Sequence, residues 1–171
     1  MKKLVLCAAI ALFTTSIISA QNAKFGIAAG YTNITERAKF EELTVSSSES
    51  GFYIGALVDI TVSEKFHVEP KMLYANAAET GFLYIPVLAK YYVAEKFNLQ
   101  AGPQANFILD EVVDGFNSFG LDLSFGLGYE INEHFFLDAR YSFELTNRYT
   151  DNDFDVSDKV NTLNVGLGYK F

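Results

Sequence analysis

Between Phe119 and Ile131 the side chains alternate without a break. Phe119, Leu121, Leu123, Phe125, Leu127, Tyr129 and Ile131 share one parity, and Gly120, Asp122, Ser124, Gly126, Gly128 and Glu130 take the other. A two-residue period puts consecutive side chains on opposite faces of a β-strand, whereas a helix would scatter them around its circumference. Strands of soluble sheets usually run about 5–6 residues, and a strand that crosses a bilayer needs about 9–11. This stretch has thirteen, so its length constrains the fold as much as its period does.

The pattern recurs along the chain. Phe25, Ile27, Ala29 and Tyr31 oppose Lys24, Gly26, Ala28 and Gly30, and the same alternation runs from Phe52 to Val62, Phe97 to Phe107 and Phe135 to Glu144. At the C-terminus Leu163, Val165, Leu167, Tyr169 and Phe171 oppose Asn164, Gly166, Gly168 and Lys170. Phe66 to Ala75 and Phe82 to Val93 are less regular, since Pro70 and Pro86 lack the N–H that a ladder needs. That makes eight strands. Ser63-Glu64-Lys65, Ala94-Glu95-Lys96 and Asn132-Glu133-His134 join them at hairpin length. Longer polar segments, Asn33 to Ser50, Asn76 to Thr80, Ile108 to Ser118 and Leu145 to Lys159, alternate with these.

Long strands with one apolar and one polar or small face, joined alternately by short and long connections, predict an all-β fold. The expected form is an eight-stranded antiparallel up-and-down transmembrane β-barrel with short periplasmic turns and longer extracellular loops. Closure follows from the solvent, because an open strand edge in hydrocarbon leaves its backbone groups without partners.

The N-terminus carries an export pattern. Lys2 and Lys3 precede an apolar run from Leu4 to Phe13, and Ile18-Ser19-Ala20 ends on a small residue. This predicts a signal peptide over residues 1–20, cleaved between Ala20 and Gln21, followed by one barrel domain over 21–171. The single cysteine, Cys7, leaves with the signal, which excludes a disulfide, a zinc thiolate or a thiol nucleophile. Beyond Ala20 no apolar run reaches the roughly 18 residues of a spanning helix. The chain has 21 acidic and 13 basic residues, and losing two lysines leaves a net −10. Such a balance excludes a nucleic-acid binder.

The polar parity assigns a lumen ion-pair network of Lys24, Asp59, Glu69, Lys71, Lys90, Asp122, Glu130, Asp138, Arg140, Glu144 and Lys170. Five bases against six acids favour pairing, and eight strands enclose a space that side chains can fill. The reading is a plugged lumen; a narrow porin-like channel for ions or small solutes is the alternative. The four long segments carry −8 of the −10. Asp151, Asp153, Asp155 and Asp158 do not form a calcium loop, because Val156 stands where glycine is needed and Thr162 where glutamate is. His67 and His134 fall at the periplasmic turns with no serine placed for catalysis, so no enzyme activity and no cofactor or metal is expected.

The terminal Val165-Gly166-Leu167-Gly168-Tyr169-Lys170-Phe171 and the segment Tyr84-Ile85-Pro86-Val87-Leu88-Ala89-Lys90-Tyr91-Tyr92 carry a resemblance. From Lys24 to Phe171 the chain resembles the small outer-membrane β-barrel proteins of Gram-negative bacteria, of the OmpA/OmpX-like and PorT-like families. The resemblance implies residence in the cell outer membrane, contact with its lipid and lipopolysaccharide, and an assembly signal on Val165, Leu167, Tyr169 and Phe171 read by the barrel-assembly machinery. Activity does not follow, because these families share architecture more than function. A structural or surface-interaction role, with an extracellular ligand bound through the loops, is the expectation, and the PorT-like likeness adds a secretion-apparatus component as a lesser alternative.

Overall fold

A computed structural model of the chain describes residues 22–40, 43–112, 116–148 and 156–171. The signal peptide, the cleavage position between Ala20 and Gln21, and Asp151, Asp153 and Asp155 lie outside the described residues. The strands are β1 Ala23–Phe40, β2 Leu43–Thr61, β3 Phe66–Ala77, β4 Thr80–Ala94, β5 Phe97–Ile108, β6 Phe119–Glu130, β7 Phe135–Glu144 and β8 Val156–Lys170. Each pairs antiparallel with its sequence neighbour, and β1 pairs with β8 from Gly26↔Lys170 to Phe40↔Val156 to close the barrel.

The packing is inside out relative to a soluble protein. Phe25 is 62% exposed and Phe125 48%, whereas Glu69 and Lys90 are fully buried. The outward residues form an apolar belt bounded by aromatic rings. Phe25, Phe66, Tyr91, Tyr129, Phe135 and Phe171 lie towards the short turns, and Tyr31, Phe52, Tyr74, Phe119 and Phe143 towards the opposite end. Aromatic side chains favour the two membrane interfaces because the ring is apolar while its edge tolerates water.

The three short turns extend the ladder beyond the strands. The carbonyls of Lys65, Lys96 and His134 accept the N–H groups of Tyr92, Glu130 and Lys170 at 2.8, 2.7 and 2.8 Å. Pro70, Pro86 and Pro103 are accommodated in strands because each falls at a gap in the pairing with the preceding strand. The β2–β3 register jumps from Leu57↔Lys71 to Ile60↔Val68, β3–β4 from Pro70↔Val87 to Leu73↔Tyr84, and β4–β5 from Pro86↔Gln104 to Ala89↔Ala101. The missing N–H therefore costs no ladder bond.

Two of the expected long loops are replaced by strand. Asn33 to Ser50 is mostly ladder, with β1 and β2 paired up to Phe40↔Leu43. Strands of this length overshoot the roughly 9–11 residues a bilayer requires. Water meets both faces of the excess, so the apolar–polar contrast disappears from the sequence while backbone pairing continues. Asn76 to Thr80 shrinks to a two-residue turn in which Ala78 and Glu79 take φ of 49° and 66°. Positive φ at both central residues is the turn geometry whose twist matches that of the flanking strands.

Candidate functional site

Alternation sends Tyr53, Asp59, Glu69, Lys71, Lys90, Glu130, Asp138 and Lys170 into the half of the lumen nearer the short turns. Lys90 Nζ lies 3.0 Å from Glu69, 3.3 Å from Asp59 and 3.6 Å from Glu130. Lys170 Nζ lies 3.1 Å from Asp59 and 2.8 Å from Glu130. Lys71 pairs with Glu69 at 3.1 Å and with Asp138, whose carboxylate also accepts the Tyr53 hydroxyl at 3.1 Å. These side chains bridge six strands, so a charge removed from one strand leaves a buried partner uncompensated on another.

Phe136 stands at the centre of this cluster. The ammonium groups of Lys71, Lys90 and Lys170 lie 5.6, 5.5 and 5.2 Å from its ring centroid, within cation–π range. The ring packs over Gly168 so closely that a Cβ there would overlap it. The glycine is what lets a phenyl group fit in so narrow a bore.

A second cluster lies towards the other end. Arg148 Nε donates to Glu144 at 2.8 Å, and Arg148 Nη2 donates to Asn106. Asn106 and Gln104 donate to Asp122 at 2.5 and 2.7 Å, and the Val160 N–H reaches Glu144 at 2.5 Å.

The structure thus gathers Asp59, Glu69, Lys71, Lys90, Glu130, Asp138 and Lys170 into one cluster and puts Asp122 and Glu144 in another. Two residues assigned to the network stand apart. Lys24 is exposed at the rim, because β1 begins one residue earlier and its side chain meets water. Arg140 is buried but makes no ion pair among the described residues. Its Nε and Nη2 atoms have no partner. Arg148, placed by its sequence in a loop, is the base that Glu144 uses.

A cavity of about 870 Å³ opens at the periplasmic mouth, with Lys24, Asp59, His67, Tyr92, Glu130 and Lys170 in its wall. His67 Nδ1 lies 2.6 Å from Asp59, and its ring packs 4.8 Å from Tyr92. His134 instead stacks on Tyr169 at 5.3 Å outside the lumen. Val165, Leu167 and Phe171 face outward from β8 and are exposed; Tyr169 shares their parity.

At the extracellular end β8, β1 and β2 continue past the rest of the wall as a three-stranded sheet. The β2–β3 ladder ends at Gly51↔Ala77, whereas β1–β2 runs on to Phe40↔Leu43 and β8–β1 to Phe40↔Val156. The outer edge of β8 is partly covered, since Glu144 takes the Val160 N–H and donates its own N–H to Asn161. Among the described residues no strand pairs with the outer edge of β2 over Leu43–Ser50. Its inner face, with Ile34, Glu36, Ser47 and Glu49, lines a small cavity of about 50 Å³ against Ala78 and Phe82. On its outer face Tyr31 bonds Ser50 at 2.7 Å and Thr35 bonds Ser48 at 2.9 Å.

The family model described as the outer membrane protein beta-barrel domain matches residues 5–171. No curated protein matches the chain. Among solved structures, Ail, the attachment invasion locus protein of Yersinia pestis in complex with the heparin analogue sucrose octasulfate, is 19% identical, with 88% of this chain and 100% of that one covered at a TM-score of 0.51. Neisserial surface protein A is 18% identical over 88% of this chain and 100% of that one, at 0.52. A designed transmembrane β-barrel is 13% identical over 86% and 95%, at 0.51. Identities this low establish the fold alone, and the same architecture made by design underlines that a barrel does not specify an activity.

Proposed function

The chain belongs to the outer membrane protein β-barrel domain family, and from that premise we propose that it is an exported surface-interaction protein. Its working element is the sheet of β8, β1 and β2 raised above the membrane, on a barrel whose lumen is plugged by ion pairs. One observation carries this reading: over Leu43–Ser50 the outer edge of β2 is unpaired among the described residues. Natural proteins blunt a free edge with proline, lysine or a bulge, because its unpaired N–H and C=O groups are a template for another strand. The sequence Leu43-Thr44-Val45-Ser46-Ser47-Ser48-Glu49-Ser50 has neither proline nor lysine, and its register with β1 runs without a shift. An extended segment of a partner could add to it as a further strand.

Single cysteines at Ser46 or Ser48 test this, because the mature chain expected after signal removal has no cysteine of its own. In intact cells, a thiol-reactive photo-crosslinker attached to these cysteines should give a discrete cross-linked species on illumination, and none when attached to a lipid-facing Val165→Cys control. Equal behaviour of edge and control would end the edge reading.

The periplasmic cavity favours a second reading, a narrow pore gated at the ion-pair clusters. Planar-bilayer conductance of the refolded barrel separates the two. A plugged lumen is silent, whereas reproducible discrete steps would make the lumen the working site.

A further inference from the structure

Arg140 cannot shed its charge, because a guanidinium stays protonated in proteins, and a buried charge has to be met by an opposite one. No carboxylate among the described residues pairs with it. On β7 it lies between Asp138 of the first cluster and Glu144 of the second. Asp138 is held by Lys71 and Tyr53, Glu144 by Arg148 and the Val160 N–H, and Asp122 by Asn106 and Gln104. Ser142, its other inward neighbour on β7, bonds Ser124 at 2.7 Å. Opposite Arg140 on β6 is Gly126, which has no side chain to offer.

The residues on its other side share the shortage. Asn164 stands opposite Arg140 on β8, and Thr32 stands opposite Asn164 on β1, so the three form one row across the seam that closes the barrel. All three are at most 2% exposed. Arg140 Nε and Nη2, Asn164 Nδ2 and Oδ1, and Thr32 Oγ1 have no hydrogen-bond partner. Buried polar groups of native proteins are nearly all paired, so five orphaned atoms in one row mark a place for a ligand.

The donors define its chemistry. Nε and Nη2 share one edge of the guanidinium plane with parallel N–H bonds, the fork that a carboxylate fills with both oxygens. The Asn164 amide and the Thr32 hydroxyl add donors from the two neighbouring strands. Residues opposed in a ladder stand about 4.5–5.5 Å apart, so the row fits an anion of a few atoms. We propose that Arg140, Asn164 and Thr32 bind a small carboxylate, of the size of formate, in the lumen between the two clusters. Bound there, it neutralises the arginine and ties β7, β8 and β1 together across the closing seam. The site is separate from the edge of β2, so loss of either leaves the other standing.

The test refolds the barrel into phosphatidylcholine vesicles in sodium formate, chloride or gluconate at equal ionic strength, and reads the urea midpoint by heat-modifiable gel mobility. Refolding in the anion lets it enter before the two clusters close around it. Gluconate is a carboxylate too large for the row, and chloride has the charge without the two oxygens. The wild-type midpoint should rise with formate, half-saturating at about tenfold lower concentration than with chloride, and should not respond to gluconate. Arg140→Gln should abolish the formate response, and Thr32→Val, which keeps the shape and removes the hydroxyl, should weaken it about threefold. If Arg140→Gln fails to insert, Asn164→Asp serves instead, because it sets a carboxylate of the wall itself opposite Arg140. Its midpoint in gluconate should match that of wild type in saturating formate and gain nothing from added formate. A wild-type midpoint that formate leaves unchanged, or that chloride raises equally well, would overturn the assignment. So would an undiminished formate response in Arg140→Gln or Asn164→Asp.

Discussion

Arg148 Nε lies 2.8 Å from Glu144, and both side chains are fully buried, although neither β7 nor β8 contains Arg148. The arginine leaves the end of β7 and folds back across the lumen, so the strand that supplies the acid is closed over by its own continuation. Arg148→Ala should leave Glu144 buried and unpaired, costing about 3–5 kcal/mol. Adding Glu144→Leu should recover much of that loss. Urea unfolding in lipid vesicles, followed by gel mobility, gives the double-mutant cycle; additive losses would show that the two side chains are not coupled.

Phe136 and Gly168 make a second coupled pair, joined by shape. Gly168→Ala forces the phenyl ring out of position and should cost about 1–3 kcal/mol, and Phe136→Ala should cost about 3–5 kcal/mol through the space it leaves among the lysines. The two together should cost less than the sum, because the smaller residue makes room for the new methyl. Strict additivity would contradict the contact.

How much of this was legible in the sequence depended on contrast between the faces. Where one face meets hydrocarbon, as from Phe119 to Glu130, the period of two marks the strand and its inward residues directly. Beyond the membrane the contrast ends, and the ladder from Asn33 to Ser50 reads as a polar loop. Arg148 was missed for the same reason, although Glu144, Thr146 and Arg148 keep one parity and the inward series could have been followed past the strand end. Lys24 has inward parity but lies at the rim, where parity no longer implies burial. The partners within the network were not legible at all: the approach of Lys71 to Asp138 is set by the stagger of non-adjacent strands, which no local pattern records.

The turn at Ala78 and Glu79 holds two non-glycine residues at positive φ. A Cβ crowds the backbone in this region, at a cost of about 1–2 kcal/mol per residue, and Asn-Gly is the pair that adopts it most readily. Replacing Ala78-Glu79 by Asn-Gly should stabilise the barrel by about 1 kcal/mol, read from the urea midpoint at unchanged slope. A loss of stability would mean that the turn has a different geometry.

The exposed belt also makes a claim about solvent. Phe125, near the middle of β6, is 48% exposed and points away from the lumen. In water, lysine there would be almost neutral, but at the centre of a bilayer it should cost about 2–4 kcal/mol. Phe125→Lys in vesicles should show that loss, and Lys substituted for Phe119 at the outer aromatic ring should show much less. Equal costs at the two depths would be incompatible with a bilayer around this wall.

Deleting Phe171 separates assembly from stability. Its ring is 69% exposed, and it contributes one ladder bond, from its N–H to the Phe25 carbonyl at 2.8 Å, and a ring contact to Tyr169 at 5.4 Å. Loss of one such bond with a lipid-facing ring should lower stability by only about 1–2 kcal/mol. Refolding in vitro should therefore proceed almost normally. If Val165, Leu167, Tyr169 and Phe171 act as the signal read by the barrel-assembly machinery, the same deletion should sharply reduce folded barrel in the membranes of living cells, far more than a 1–2 kcal/mol loss explains. Parallel losses in vitro and in cells would make Phe171 merely structural, and normal yield in cells would remove it from the signal.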